Sequence, residues 1–149
     1  MVRRDAQVAA ALFGDVSMGA PARWLARRHS AREPTYQYYF SYVGSFRPDS
    51  PPGAPHGDID FYTFDNLAAI WGKSISPQDG AMERTLHAAW IAFARVSRPT
   101  VPGRTWPAYT QANDTLLDFG PTVQTIAGLR QREYDAIEAA KLPQILPAP

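Results

Sequence analysis

Cysteine is missing altogether from the 149 residues, which excludes a disulfide framework and a thiolate metal site. Charge is sparse: 19% of residues are charged and the formal net charge is +1. Such a balance excludes a strongly charged disordered chain and leaves a nucleic-acid binder without an electrostatic footprint. No apolar run approaches the roughly 20 residues that span a bilayer, so no membrane partner is expected. The opening MVRRDAQVAAALFGDV carries two arginines and a short apolar run. Asp5 and Gln7 break that run and Gly14-Asp15 ends it, so it reads as a partly buried helix rather than a signal peptide. That tilts the expected compartment toward the cytoplasm without fixing it. What is plentiful is apolar and conformationally restricted material: 45% hydrophobic, 12% aromatic and 14 prolines. The length suits one domain, 1–149, with a real core, many loops and short elements.

Residues 5–13 read as a short helix with Val8, Leu12 and Phe13 on one side. Asp15 or Ser17 could cap a second helix to about His29, with Pro21 in its first turn. Its buried side would hold Trp24 and Leu25, and its wet side Arg23, Arg27 and Arg28. Residues 1–32 hold six arginines, which read as a solvated face rather than a phosphate-binding patch. After Pro34, the stretch Thr35–Val43 is aromatic and β-branched without strict alternation. That marks a strand covered on both faces, as in a mostly parallel sheet. A proline-rich loop runs from Phe46 to Gly57, and a short helix over 65–72 contains Leu67, Ile70 and Trp71.

Ser76-Pro77-Gln78-Asp79 reads as a helix start, with a serine cap, a proline first and an acid third. That helix runs to about Ser97 and places Met82, Leu86, Trp90, Phe93 and Val96 on one stripe. Pro99, Pro102 and Gly103 end it. Trp106–Tyr109 is a loop, Thr115–Phe119 a weak edge strand, and 128–141 a last helix with Leu129, Tyr134 and Ile137 inward. The tail 142–149 reads as loosely held. One strong strand and one weak one make a poor sheet alone. The strand over 35–43 looks built for the middle of a larger sheet whose remainder is not in this chain.

The chemistry concentrates at Gly53-Ala54-Pro55-His56-Gly57-Asp58. A histidine on a loop beyond a strand's C-terminal end stands where an α/β-hydrolase presents its general base. The ring must move a proton between nucleophile and leaving group, yet be held within tenths of an ångström. Flanking glycines allow a sharp turn and close approach of substrate. Spacing alone leaves open a loop histidine with no role. Asp58 and Asp60 sit too near in sequence to reach the ring from behind and read as turn or solvent residues. Asp15-Val16-Ser17-Met18-Gly19 lacks the first glycine of Gly-x-Ser-x-Gly, and no strand precedes it, so Ser17 reads as a helix cap. His29 ends a helix, and His87 reads as an i,i+4 partner of Glu83. The histidines lack metal spacing, and no metal or cofactor is expected.

Several motifs in order resemble the type-B carboxylesterases, the group of para-nitrobenzyl esterases and cholinesterases. Pro21–Ala26 is similar to that family's helix before its last central strand, and Tyr36–Phe40 to the strand. Gly53–Gly57 is similar to the loop of the triad histidine, and Phe61 and Phe64 to the aromatic stretch after it. Trp90–Arg95 with Pro99 resembles a family helix and its terminating proline, and Trp106-Pro107-Ala108-Tyr109 a short family signature. Leu116 and Phe119 suit a late edge strand. The family usually has an acid three positions after the histidine, where this chain has Ile59. Val96-Ser97-Arg98 replaces a turn that usually contains glycine.

The resemblance implies the C-terminal part of an α/β-hydrolase fold, helix-rich with one central strand and a weak edge strand. It implies hydrolysis of a carboxylic ester by a serine nucleophile, with His56 as general base and then general acid. The serine, the acid partner and the glycine-rich oxyanion loop would come from an N-terminal portion. The expected partners are an ester substrate, if that portion completes the site, and a second chain or a homodimer. The alternative is a non-catalytic interaction or dimerisation module derived from an esterase. A basic-helix nucleic-acid binder is a distant third.

Overall fold

The computed structural model describes residues 2–47 and 53–140. The tail 142–149 and part of the proline-rich loop therefore lie outside the described residues. In chain order the elements are α1 (Val2–Gly14), a π-helical stretch (Asp15–Gly19), α2 (Ala20–Ser30), β1 (Tyr38–Phe40), α3 (Asp58–Thr63), α4 (Leu67–Trp71) with a 3-10 turn (Gly72–Ser74), α5 (Pro77–Val96), β2 (Thr115–Phe119), β3 (Val123–Ala127) and α6 (Gln131–Ala139). They form two compact units.

The first unit comprises the described residues of 1–37, 108–115 and 127–149. Its helix does not stop at 15–17 as the capping residues suggest. Gly14 and Gly19 keep helical backbone, so α1 runs through the π stretch into α2. Ser17 does not cap: its hydroxyl donates to the Phe13 carbonyl at 2.5 Å. Asp15 is buried and accepts from Arg130 Nε at 2.6 Å.

The expected faces are also inverted. Arg23 is 1% exposed, whereas Leu25 is 60%, Val8 64% and Phe13 73% exposed. The cause is charge pairing. Arg23 donates to Glu138 at 3.0 Å, Asp135 at 2.5 Å and Asp114 at 3.4 Å, and a fully paired guanidinium tolerates burial. Tyr109 is buried and its hydroxyl donates to Asp114 at 2.9 Å. Tyr134 and Ile137 of α6 point inward as expected, onto Ala20 and Val16. A Cβ at Gly19 would collide with the Tyr134 ring, so this close helix approach requires glycine.

The second unit holds the sheet, in the order β1-β2-β3. β1 and β2 pair in parallel, Tyr38 opposite Leu117 and Phe40 opposite Phe119. The strand anticipated over 35–43 contracts to three residues, and β1 has one strand neighbour among the described elements. The anticipated weak edge strand is the middle strand here. Leu117 and Phe119 are 0% exposed, and the edge position belongs to β3, which its Gly120-Pro121 lead-in disguised. Trp90, Trp106, Phe119 and Tyr38 meet in one aromatic cluster with centroids 5.0–6.3 Å apart.

Helix α5 begins with the anticipated capping box between Ser76 and Asp79. Met82, Leu86 and Ala89 are buried, but Phe93 and Val96 are exposed. Ser97 ends the helix in the left-handed conformation, φ 54°, a backbone state that favours glycine. No described helix is long and apolar enough to cross a membrane.

Candidate active site

The chain leaves β1 through a polar knot around one buried carboxylate. Asp79, 0% exposed, reaches back from the start of α5. Tyr42 Oη donates to it at 2.9 Å, the Ser45 backbone N–H at 3.1 Å, and the Ser45 hydroxyl as well. The Ser76 N–H and hydroxyl donate to Oδ2, which also takes the Ser45 hydroxyl, at 2.6 and 2.9 Å. Burial raises the Asp79 pKa, but the donors from Ser45 and Ser76 outweigh it and hold the carboxyl below its usual range. Burial, together with the bond to Asp79, pushes the Tyr42 hydroxyl up to about 12.

A turn follows, with the Arg47 N–H donating to the Gly44 carbonyl at 3.0 Å. From there Arg47 reaches residue 58. Its Nη2 donates to Asp58 Oδ1 at 2.8 Å and its Nε to Oδ2 at 3.2 Å. The guanidinium lies 4.9 Å over the Trp71 ring, which stacks on Phe46 at 4.6 Å. Asp58 is 3% exposed. Of the expected turn or solvent role, the solvent part fails for this residue, because a bidentate partner makes burial of its charge tolerable. Asp60 is exposed, as anticipated.

His56 stands two residues before Asp58, exposed, on a turn closed by the Asp58 N–H donating to the Pro55 carbonyl at 3.2 Å. Gly57 follows with φ 88°, a conformation open to glycine and strained for side chains. Helix α3 then begins. Its Tyr62, 0% exposed, packs on Phe40 of β1 at 5.2 Å and on Tyr42 at 5.8 Å. The residues just after His56 are thereby seated at the C-terminal end of β1. Tyr62 buries its hydroxyl without a hydrogen bond among the described residues, and that burial raises its pKa. Helix α3 also leans on α5, where His87 Nδ1 meets the Thr63 carbonyl at 2.9 Å. Glu83 accepts from the Leu67 N–H at 2.8 Å. The expected Glu83–His87 pair is therefore replaced by two bonds to other elements.

The arrangement leaves an imidazole with both nitrogens available, because among the described residues His56 makes no hydrogen bond or ion pair. The two serine hydroxyls just after β1 are committed to carboxylates: Ser41 donates to Asp118 at 2.7 Å and Ser45 to Asp79. Sequence reasoning singled out His56 and anticipated the capping box that α5 shows. It missed Arg47 and the backward reach of Asp79, because both contacts join segments at least 11 residues apart. An arginine just before a proline run and an acid just after the histidine were the available signals.

The sequence model of the carboxylesterase family matches residues 3–137. The chain belongs to the carboxylesterase family. Its fold is likewise that of solved esterases. A PNB esterase superposes with a TM-score of 0.74 at 22% identity, over 85% of this chain and 26% of its own. A thermophilic PNB esterase gives 0.65 at 20% identity, over 75% and 23%. The Geobacillus stearothermophilus carboxylesterase EST55 gives 0.61 at 25% identity, over 74% and 23%. This carboxylesterase chain thus spans about a quarter of the length of those solved esterases and forms part of an α/β-hydrolase fold. No curated protein sequence matches it.

Proposed function

We propose that this chain is the portion of a carboxylic ester hydrolase that contributes the proton-transferring histidine, His56. The observation that carries the reading is the placement of an exposed, unpaired imidazole immediately before a helix seated on the C-terminal end of β1. In the reaction, His56 takes the proton of a serine hydroxyl as that oxygen attacks the ester carbonyl. It passes the proton to the departing alcohol, then draws one from the water that hydrolyses the acyl-enzyme. The serine, the carboxylate behind His56 and the oxyanion donors come from outside these residues. The chain by itself is therefore catalytically incomplete. The test is hydrolysis of p-nitrophenyl acetate by the chain alone and by the chain joined to the esterase portion that carries the serine. The joined enzyme is active, the lone chain is inactive, and His56→Ala removes activity from the former.

A second reading draws on a different observation. Val8, Leu12 and Phe13 lie bare on α1, beside an apolar groove that Val16 and Ile137 also line. An esterase-derived, non-catalytic interaction or dimerisation module would cover such a surface. Sedimentation of the lone chain separates the readings. A stable inactive homodimer favours the module, and association only with the serine-bearing portion favours the hydrolase.

A further inference from the structure

We infer that the Arg47–Asp58 ion pair aims His56, which makes both of them positioning residues for proton transfer; the inference rests on the reading of His56 as general base. Three features of the structure support it. The pair fastens two segments 11 residues apart, the turn that leaves β1 and the turn that carries the histidine. Asp58 is separated from His56 only by Gly57, whose φ of 88° is held on one side by the Asp60 N–H bond to its carbonyl at 3.0 Å. Displacement of the Asp58 carboxylate therefore passes directly to the imidazole. The anchor itself is stiff: two parallel hydrogen bonds fix the guanidinium plane, and the Trp71 face below Arg47 fixes its height.

Neither residue needs to touch substrate for this. Asp58 is 3% exposed and its carboxylate is occupied by Arg47. Among the described residues that carboxylate makes no bond to the imidazole, so the pair supplies direction rather than charge. Direction matters because a shift of about 1 Å in a catalytic group costs on the order of 100-fold in rate. A lysine at 47 keeps the charge but cannot form the fork, and a glutamate at 58 keeps the charge with a longer reach.

The experiment compares Asp58→Asn, Asp58→Glu, Arg47→Lys and His56→Ala in the joined esterase, reading kcat and KM separately with p-nitrophenyl acetate. The inference predicts that kcat falls roughly 10- to 100-fold for Asp58→Asn with KM nearly unchanged. Asp58→Glu recovers part of the loss, and Arg47→Lys lies between. If Asp58→Asn does not fold, Arg47→Lys carries the comparison, since it retains the buried charge partner. Full kcat in Asp58→Asn or Arg47→Lys, alongside an inactive His56→Ala enzyme, overturns the inference and leaves the proposed function standing. Undiminished activity in His56→Ala overturns the proposed function itself.

Discussion

At the scale of the residue, Arg23 and Ser97 show what local pattern conveys and what it hides. Arg23 sits in a run with Arg27 and Arg28 that looks solvated, yet it is the most deeply buried of the three. Nothing within four positions of it announces Asp114, Asp135 or Glu138. The pairing exists only once α6 closes on α2. Replacing Arg23 by Met strands those carboxylates, and unfolding in urea should show a loss of about 3 kcal/mol. That is the lower end for breaking a buried pair, because Asp135 is already 53% exposed. Ser97 is the opposite case. A turn after α5 was legible from its position before Pro99, and its serine pays a conformational cost at φ 54°. Ser97→Gly should raise stability by up to about 1 kcal/mol, measured in the same unfolding experiment. A drop would mean that the serine side chain has a role beyond the backbone.

At the scale of the element, sequence pattern located every described helix except α3 and misjudged two of their faces. The start of α5 was readable because a capping box is local: Ser76 and Asp79 lie three positions apart. The second duty of Asp79, holding Tyr42 and Ser45 after β1, was not readable, since it crosses from helix to strand. That duty gives a pH dependence. The Asp79 carboxyl is held below its unfolded value of 3.8. Its contribution is therefore present above that value and is lost as pH falls through the lower folded one. Acid unfolding should steepen below about pH 4, and Asp79→Asn should weaken that dependence while lowering stability at neutral pH. Identical acid profiles for the two proteins would contradict the argument. For the joint of α2 and α6, Gly19→Ala drives a Cβ into Tyr134. Overpacking of this kind costs about 1–3 kcal/mol, and chemical unfolding should show it, with partial recovery in Gly19→Ala/Tyr134→Phe.

At the scale of the whole molecule, the motifs that revealed the family are mostly packing residues. Trp90, Trp106 and Phe119 form one aromatic cluster around the sheet. The sheet was half legible. The aromatic strand and the Thr115–Phe119 strand were visible, but β3 and the central place of β2 depend on pairing, which no single segment encodes. Of the candidate site, His56 was singled out from its loop motif, whereas the Arg47–Asp58 contact is visible only in the structure. The most direct measurement is p-nitrophenyl acetate turnover by the esterase formed when this chain is joined to its serine-bearing portion, with and without His56→Ala. The account predicts a loss of several orders of magnitude in kcat/KM on substitution and no turnover from the lone chain. Full activity in the His56→Ala enzyme would contradict it.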